Sequence, residues 1–330
     1  MQTLRFRVSP EFKDQRLDQV LAVELPRLAG RPLSKSKVRQ LIVAGAVYLN
    51  RSRVRIASKT LRLGAEIEVH IRWDRVEQKT RTETVVMDAS WILFEDEDLI
   101  VVNKPPGLPT QPTVDEARAN LFAVVKRFLK TRQSGDPYLG LHHRLDRDTS
   151  GVVLFTKTVR ANAGIARAFQ EHLAQKTYVC LSRRDPQSKR VSNGELSRVP
   201  PDWIIQNFLG KVGKGRIQKF GSVRSGGDPA ETRFAVLERL KNDHYFIQAQ
   251  PKTGRTHQIR VHLSEEGLPI VGDSLYGALA SPIQLPGGIK MRLALHAREL
   301  ELPHPITGVS LKIQSPIPED LQSCLKQLQS

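Results

Sequence analysis

Cysteine is almost missing from this 330-residue chain: Cys180 and Cys324 are the only two, far apart and in no ligand-like spacing. A disulfide framework and a zinc site both need more thiols at closer intervals, so two reduced thiols are expected. Acidic residues are also in short supply. There are 34 Asp and Glu against 51 Lys and Arg, a net charge of +17 and a pI near 10.1. Such an excess favours a polyanionic partner, through neutralised phosphates and released counterions. Charge alone leaves both nucleic acid and an anionic membrane surface open. No apolar run approaches the length of a membrane span, however, and the start Met1-Gln2-Thr3-Leu4-Arg5 lacks a signal peptide's apolar stretch, so no membrane partner is expected. A Gly-rich phosphate loop, a dinucleotide fingerprint and a metalloprotease helix are all absent from the sequence. The chemistry is therefore expected to need no cofactor and no metal.

What is present suffices for two domains with real cores. Residues 1–88 hold 18 Lys and Arg and 10 Asp and Glu, a net +8, which leaves 33 and 24, a net +9, for the rest. The first quarter thus carries nearly half the excess. Polar residues 74–83 follow it, so the expected division is a small basic domain at 1–73, a linker at 74–88 and a larger domain at 89–330. Arg16-Leu17-Asp18-Gln19-Val20-Leu21 opens a short amphipathic helix. A second is expected from Ser34, as N-cap, to about Val43, with Val38, Leu41 and Ile42 inward and Gly45 ending it. Residues 47–50 and 66–69 alternate like strands, with a turn at 50–52. Lys35, Lys37 and Arg39 are expected on the exposed side of the second helix, while Arg51, Arg53 and Arg55 crowd the turn. A single charge usually marks a solvated face, but six on one helix and its adjoining turn indicate a phosphate-binding surface. Through Arg16-Leu17-Asp18, the Ser/Lys-rich helix start and Gly45-Ala46-Val47-Tyr48-Leu49-Asn50, residues 16–71 resemble a small RNA-binding domain. It is the one shared by ribosomal protein four of the small subunit and several RNA-modifying enzymes. Arg51 stands where that pattern has a turn glycine.

From Trp91 the character changes. Ile92-Leu93-Phe94 and Leu99-Ile100-Val101-Val102 are strand candidates around the acidic turn Glu95-Asp96-Glu97-Asp98. Asn103-Lys104-Pro105-Pro106-Gly107 then forbids regular structure. A helix is expected over 121–129, and the polar, basic, Gly/Ser-rich residues 183–228 read as a long loop, functional or mobile. The densest cluster is Leu141-His142-His143-Arg144-Leu145-Asp146-Arg147-Asp148-Thr149-Ser150-Gly151, followed by the strand Val152-Val153-Leu154-Phe155. Arg144 and Arg147 flank Asp146 with positive charge, which favours a carboxylate. Asp148-Thr149-Ser150-Gly151 has turn chemistry, with side chains holding backbone amides. On its own, such a cluster is also what a solvated basic turn looks like.

His143 to Gly151 is similar, over nine contiguous positions, to the catalytic motif of the RluA-type RNA pseudouridine synthases. The family's other stretches arrive in order: Asn103 to Gly107, Lys176-Thr177-Tyr178, Lys252-Thr253-Gly254-Arg255-Thr256-His257-Gln258-Ile259-Arg260-Val261-His262-Leu263, and Gly267-Leu268-Pro269-Ile270-Val271-Gly272-Asp273. Leu293-Ala294-Leu295-His296-Ala297 completes the set. Cys180-Leu181-Ser182-Arg183-Arg184 departs from the family's small, glycine-containing continuation.

This resemblance implies that Asp146 is the catalytic carboxylate, acting at the sugar as nucleophile or as base. It implies Arg260 as the salt-bridge partner of Asp146. Tyr178 is implied as the pocket tyrosine, packing beneath the uracil and a candidate to take the proton from its carbon. Arg144 is implied to occupy the space left by a flipped nucleotide, flipping being required because the reacting atoms are inaccessible in a stacked helix. His143, His257 and His262 are read as hydrogen-bonded structure. Isomerisation also suits a lone carboxylate, since glycoside hydrolysis usually needs two, one of them to activate water. The expected fold is α+β, a small α/β RNA-binding domain followed by a catalytic domain with a mixed, mainly antiparallel sheet and a central cleft. The expected partner is RNA, ribosomal RNA of the large subunit ahead of transfer RNA, met by a monomer in the cytoplasm. Two other classes stay in view: a non-catalytic RNA-binding or ribosome-assembly protein, and an RNA-directed base hydrolase. A zinc deaminase is excluded by the missing Cys and Glu pattern.

Overall fold

The computed structural model describes residues 2–73, 85–112, 119–188, 199–213, 218–277 and 290–329. They divide into two units, Met1–Val85 with Pro112–Asn120, and Val86–Gln111 with Leu121–Ser330. Residues 74–84 of the expected linker lie outside the described residues.

In the first unit, strand β1 (Gln2–Arg7) precedes helix α1 (Leu17–Ala29), which buries Leu17, Val20, Leu21 and Leu25 at helical spacing. Helix α2 (Lys35–Ala44) starts at Ser34, whose hydroxyl accepts the Lys37 amide at 3.3 Å. It ends at Gly45 in the left-handed conformation, φ 78°. Val38, Leu41 and Ile42 face inward as expected. Strands β2 (Val47–Leu49), β3 (Ser52–Val54) and β4 (Glu66–Ile71) complete an antiparallel sheet of order β1-β4-β2-β3. The turn from β2 to β3 puts both Asn50 (φ 48°) and Arg51 (φ 65°) in the left-handed region. Asn tolerates that conformation; Arg51 holds it against steric preference. The expectation that Lys35, Lys37 and Arg39 share an exposed side fails. Two residues along a helix is a rotation of about 200°, so Lys37 turns away from Lys35 and is half-buried.

The second unit is built on one sheet of eleven strands. β5 (Ile92–Glu95) and β6 (Leu99–Lys104) form the expected hairpin, although β6 runs on through Asn103 and Lys104 before the prolines stop it. Helix α3 (Leu121–Arg132) is followed by the short β7 (Gly140–Leu141), then β8 (Ser150–Thr156), α4 (Arg160–Gln170) and β9 (Gln175–Arg183). β10 (Asp202–Val212), β11 (Lys219–Ser222), β12 (Asp228–Leu240) and β13 (His244–Pro251) make an antiparallel arm. α5 (Gln258–Glu265), β14 (Leu295–Pro303), β15 (Ser310–Gln314) and α6 (Glu319–Gln329) finish the chain. The strand order is β11-β10-β12-β13-β9-β14-β8-β6-β5, with β15 on β14 and β7 on β8. Among the described residues only β14 and β8 run parallel, so the sheet is mixed and mainly antiparallel. Cys180 and Cys324 are both free and buried.

Residues 183–228 are therefore not one long loop, for β10 and β11 fall inside them. Their polar composition conceals strands because the arm leaves one face in solvent: β10 alternates, with Ile204 and Phe208 more than half exposed while Leu209 is buried. Residues 189–198 and 214–217 lie outside the described residues.

The parallel pairing depends on one glycine. Gly151 takes φ 112°, and a Cβ there would stand 2.1 Å from the carbonyl oxygen of Ala297. Gly151→Ala is expected to cost roughly 3 kcal/mol, through backbone strain and a clash that only strand separation relieves. Thermal unfolding should fall by roughly 5–10 °C; an unchanged midpoint would show that β8 and β14 can part without penalty.

Candidate active site

The turn before β8, the end of α4, the start of β9, the end of β13, the first turn of α5 and the start of β14 surround a cleft of about 620 Å³. It lies mid-sheet, where neighbouring strands come from distant parts of the chain. Asp146 faces it from the turn before β8. Two clasps fix the backbone on either side of that residue. The buried Thr110 hydroxyl accepts the Leu145 amide at 3.1 Å and donates to the Leu145 carbonyl at 2.8 Å. The fully buried Lys104 ammonium donates to the carbonyls of Pro105, Leu108 and Arg147, all within 2.9 Å. Burial pushes the Lys104 pKa down to about 7, with the Arg292 charge in the same direction and the charges of Asp148 and Asp146 opposing. Three carbonyl acceptors match the three N–H bonds of an ammonium, so the charged form is the one this niche fits. Beyond the turn, Arg292 bonds the Ser150 hydroxyl at 3.2 Å while paired to Asp320, and Ser150 meets His296 at 3.0 Å.

Arg260 projects from α5 to Asp146, Nη1 to Oδ2 at 2.9 Å. Its other edge is gripped by Asp273, Nε to Oδ2 at 2.7 Å and Nη2 to Oδ1 at 2.8 Å. Side-chain exposure falls from 20% at Asp146 through 11% at Arg260 to 0% at Asp273. Burial pushes the Asp273 carboxyl up, but the Arg260 hydrogen bonds and charge, with the Tyr276 and Leu275 amides, hold it below its ordinary value. Burial likewise opposes the Arg260 charge, and both carboxylates outweigh it to raise its pKa. The Tyr276 ring stacks near the same guanidinium, 5.2 Å from centroid to Cζ. The residues expected to flank Asp146 with charge divide their roles. Arg147 turns away to a two-pronged pair with Asp148, both bonds 2.9 Å, so Asp148 holds an arginine and not the backbone amides expected of it. Arg144 stays exposed at the cleft.

Tyr178 enters from β9 between Ala249 of β13 and Ala297 of β14, two small neighbours that leave room for its ring. Burial first, and the Asp146 charge second, push its phenol well above the ordinary value. The hydroxyl is thus neutral at physiological pH. His143 and His262 are structural, as expected. His143 accepts the Leu154 amide at 2.9 Å, and His262 lies 3.0 Å from both Thr232 and Asn207. Burial drives them down to about 3 and about 4. His257 is hydrogen-bonded, as expected, and also stands beside the carboxylate. It begins α5 at φ 57° with Nδ1 2.9 Å from the Tyr276 hydroxyl, and its Nε2 comes to 3.8 Å from Asp146. Burial lowers its pKa against the pull of Asp146, leaving a neutral ring beside the carboxylate. Among the described residues no group of three or more His, Cys, Asp or Glu side chains could hold a metal ion.

One carboxylate, one buried arginine and one tyrosine from three separate motifs thus converge on one cleft. Residues 98–265 match the family described as RNA pseudouridylate synthase, and residues 15–67 match the S4 domain. The chain belongs to the RNA pseudouridylate synthase family. It is 33% identical to ribosomal large subunit pseudouridine synthase D of Neisseria meningitidis serogroup A, over 96% of this chain and 80% of that protein. It is 34% identical to ribosomal large subunit pseudouridine synthase C of Yersinia pestis, over 96% and 93%. Among solved structures, human RNA Pseudouridylate Synthase Domain Containing 1 is similar with a TM-score of 0.52 and 26% identity, covering 71% of this chain and 86% of that one. The chain is accordingly an RNA pseudouridine synthase, an isomerase that carries an RNA-binding S4 domain. No helix among its described residues is long and apolar enough to cross a membrane.

The synthase residue that sequence reasoning passed over is Asp273. It stood in view as the end of Gly267 to Asp273, but nothing in its spacing announces a partner thirteen residues earlier. Asp273→Asn keeps the shape and removes the charge that orients Arg260. Turnover is expected to fall roughly 10- to 100-fold with RNA affinity nearly unchanged, as for a reacting group displaced by a fraction of an ångström. A folded variant with wild-type turnover would show that Arg260 needs only Asp146.

Proposed function

We propose that this synthase converts specific uridines of large-subunit ribosomal RNA to pseudouridine, working in the cytoplasm as a monomer. The observation that carries the chemistry is the single carboxylate. Asp146 is the one acid among the described residues lining the cleft, set among Arg144, Lys176, Lys252, Arg255 and Arg260. A hydrolase would want a second carboxylate to activate water, and that acid would send the sugar cation to water instead of back to the base. Asp146 acts at the sugar, as nucleophile or base, while Arg260 keeps it aimed into the cleft. The freed uracil turns over the Tyr178 ring, whose hydroxyl is the candidate to take the proton from its carbon. The cations along the rim suit the phosphates flanking a flipped nucleotide. Arg144, exposed at the cleft, fits the space that nucleotide leaves in the helix.

The choice of ribosomal over transfer RNA is supported by the two bacterial relatives, whose names specify the large ribosomal subunit. A non-catalytic binder would not need Asp146, Tyr178 and Arg260 gathered with Asp273 behind them. Mapping pseudouridines in total cellular RNA, with and without this protein, tests the target. One or a few large-subunit positions should lose the modification and regain it on re-expression. Loss confined to transfer RNA, or no loss at all, would contradict the assignment.

A further inference from the structure

One buried carboxylate in the first unit holds two arginines at once. Asp18, on the first turn of α1, has a side chain only 4% exposed, and Arg16 grips it through Nε and Nη2, each at 3.0 Å. Arg39 reaches it from α2, with Nε at 2.9 Å and Nη2 at 2.7 Å from Oδ2. The Arg16 hydrogen bonds pull the Asp18 carboxyl below its ordinary range; burial opposes them and Arg39 adds to the pull. One arginine would neutralise this carboxylate. Two are present, and both guanidinium groups remain about half exposed, at 45% and 51%. Each offers five N–H donors in a rigid fork and commits two to Asp18, which leaves donors on both directed elsewhere. The trio has a net positive charge with its negative end turned inward. Exposed Lys35 lies four residues before Arg39, on the same face of α2, and extends the positive surface.

We propose that Arg16 and Arg39, aligned by Asp18, form a binding site for a backbone phosphate of RNA, with Asp18 as its positioning residue. The site rests on the reading of this unit as an RNA-binding domain and adds to it a defined phosphate contact. Forked guanidinium groups match phosphate oxygens in pairs. Fixing both forks before RNA arrives removes rotamer freedom that a free surface arginine would lose on binding.

The test sets charge against geometry. Asp18→Asn raises the net charge by one, which on electrostatics alone tightens binding to any polyanion. The aligned pair requires the opposite. The full chain carrying Asp18→Asn should bind a mixed-sequence RNA hairpin roughly tenfold more weakly, and log affinity against log salt should flatten by about 0.7–0.9. Arg39→Lys keeps the charge and loses the fork, so it should show a similar loss; it decides the matter if thermal unfolding shows Asp18→Asn to be unfolded. Equal or tighter binding by folded Asp18→Asn, or wild-type binding by Arg39→Lys, overturns the site. A separate variant with Lys35, Lys37, Arg39, Arg51 and Arg53 all changed to Gln tests the broader reading. An unchanged salt slope there means that the basic surface does not meet RNA at all. A flattened slope there, beside intact binding by Asp18→Asn, means that RNA binds this face without the aligned pair.

Discussion

A single guanidinium shared between two carboxylates is the constraint on which the catalytic unit is arranged. Arg260 has five N–H donors in one plane; two go to Asp273 and one to Asp146. Because Asp273 is fully buried and its oxygens also receive the Leu275 and Tyr276 amides, it cannot follow Arg260 if the arginine moves. Asp146 is therefore aimed from behind by a group locked from behind. Removing Arg260 would leave two carboxylates facing one site without their shared counter-charge, so the three residues act as one unit.

The same economy governs the backbone under Asp146. A turn between two strands would ordinarily be free to adjust, and a reacting carboxylate on such a turn would be poorly placed. Here Thr110 clasps one side of the residue, the Lys104 ammonium holds the other, and Arg292 ties down Ser150 at the start of β8. All three anchor to the sheet or its immediate loops, so the precision of the site derives from buried polar side chains whose hydrogen bonds are satisfied. Gly151, at the start of β8, contributes by letting that strand lie against β14, whose first residue, Leu295, lines the cleft.

Much of this was legible in the sequence, and the exceptions share a cause. Helix α2 declared itself through Ser34, Gly45 and the spacing of Val38, Leu41 and Ile42, because caps and helical period are local properties. The hairpin of β5 and β6 and the nine-residue run from His143 to Gly151 were equally local. What stayed hidden was pairing at a distance. Nothing near Arg39 or Arg16 says that one buried Asp18 holds both, and nothing near Lys104 says that its ammonium ends on three carbonyls. His257 makes the hydrogen bond expected of a lone histidine, but the nearness of its ring to Asp146 depends on the left-handed start of α5, which its sequence neighbours do not announce. The arm strands β10 and β11 were missed for a different reason. An antiparallel arm with one solvated face carries its apolar residues singly among polar ones, which the eye reads as loop.

The most direct measurement of the central claim compares turnover with RNA affinity for Asp146→Asn. The substitution removes one charge and almost no volume, and it leaves Arg260 in the grip of Asp273. If Asp146 acts at the sugar, pseudouridine formation disappears while affinity for the target RNA stays near that of the wild-type chain. Turnover within about tenfold of wild type would mean that the carboxylate held by Arg260 is not the group that does the chemistry.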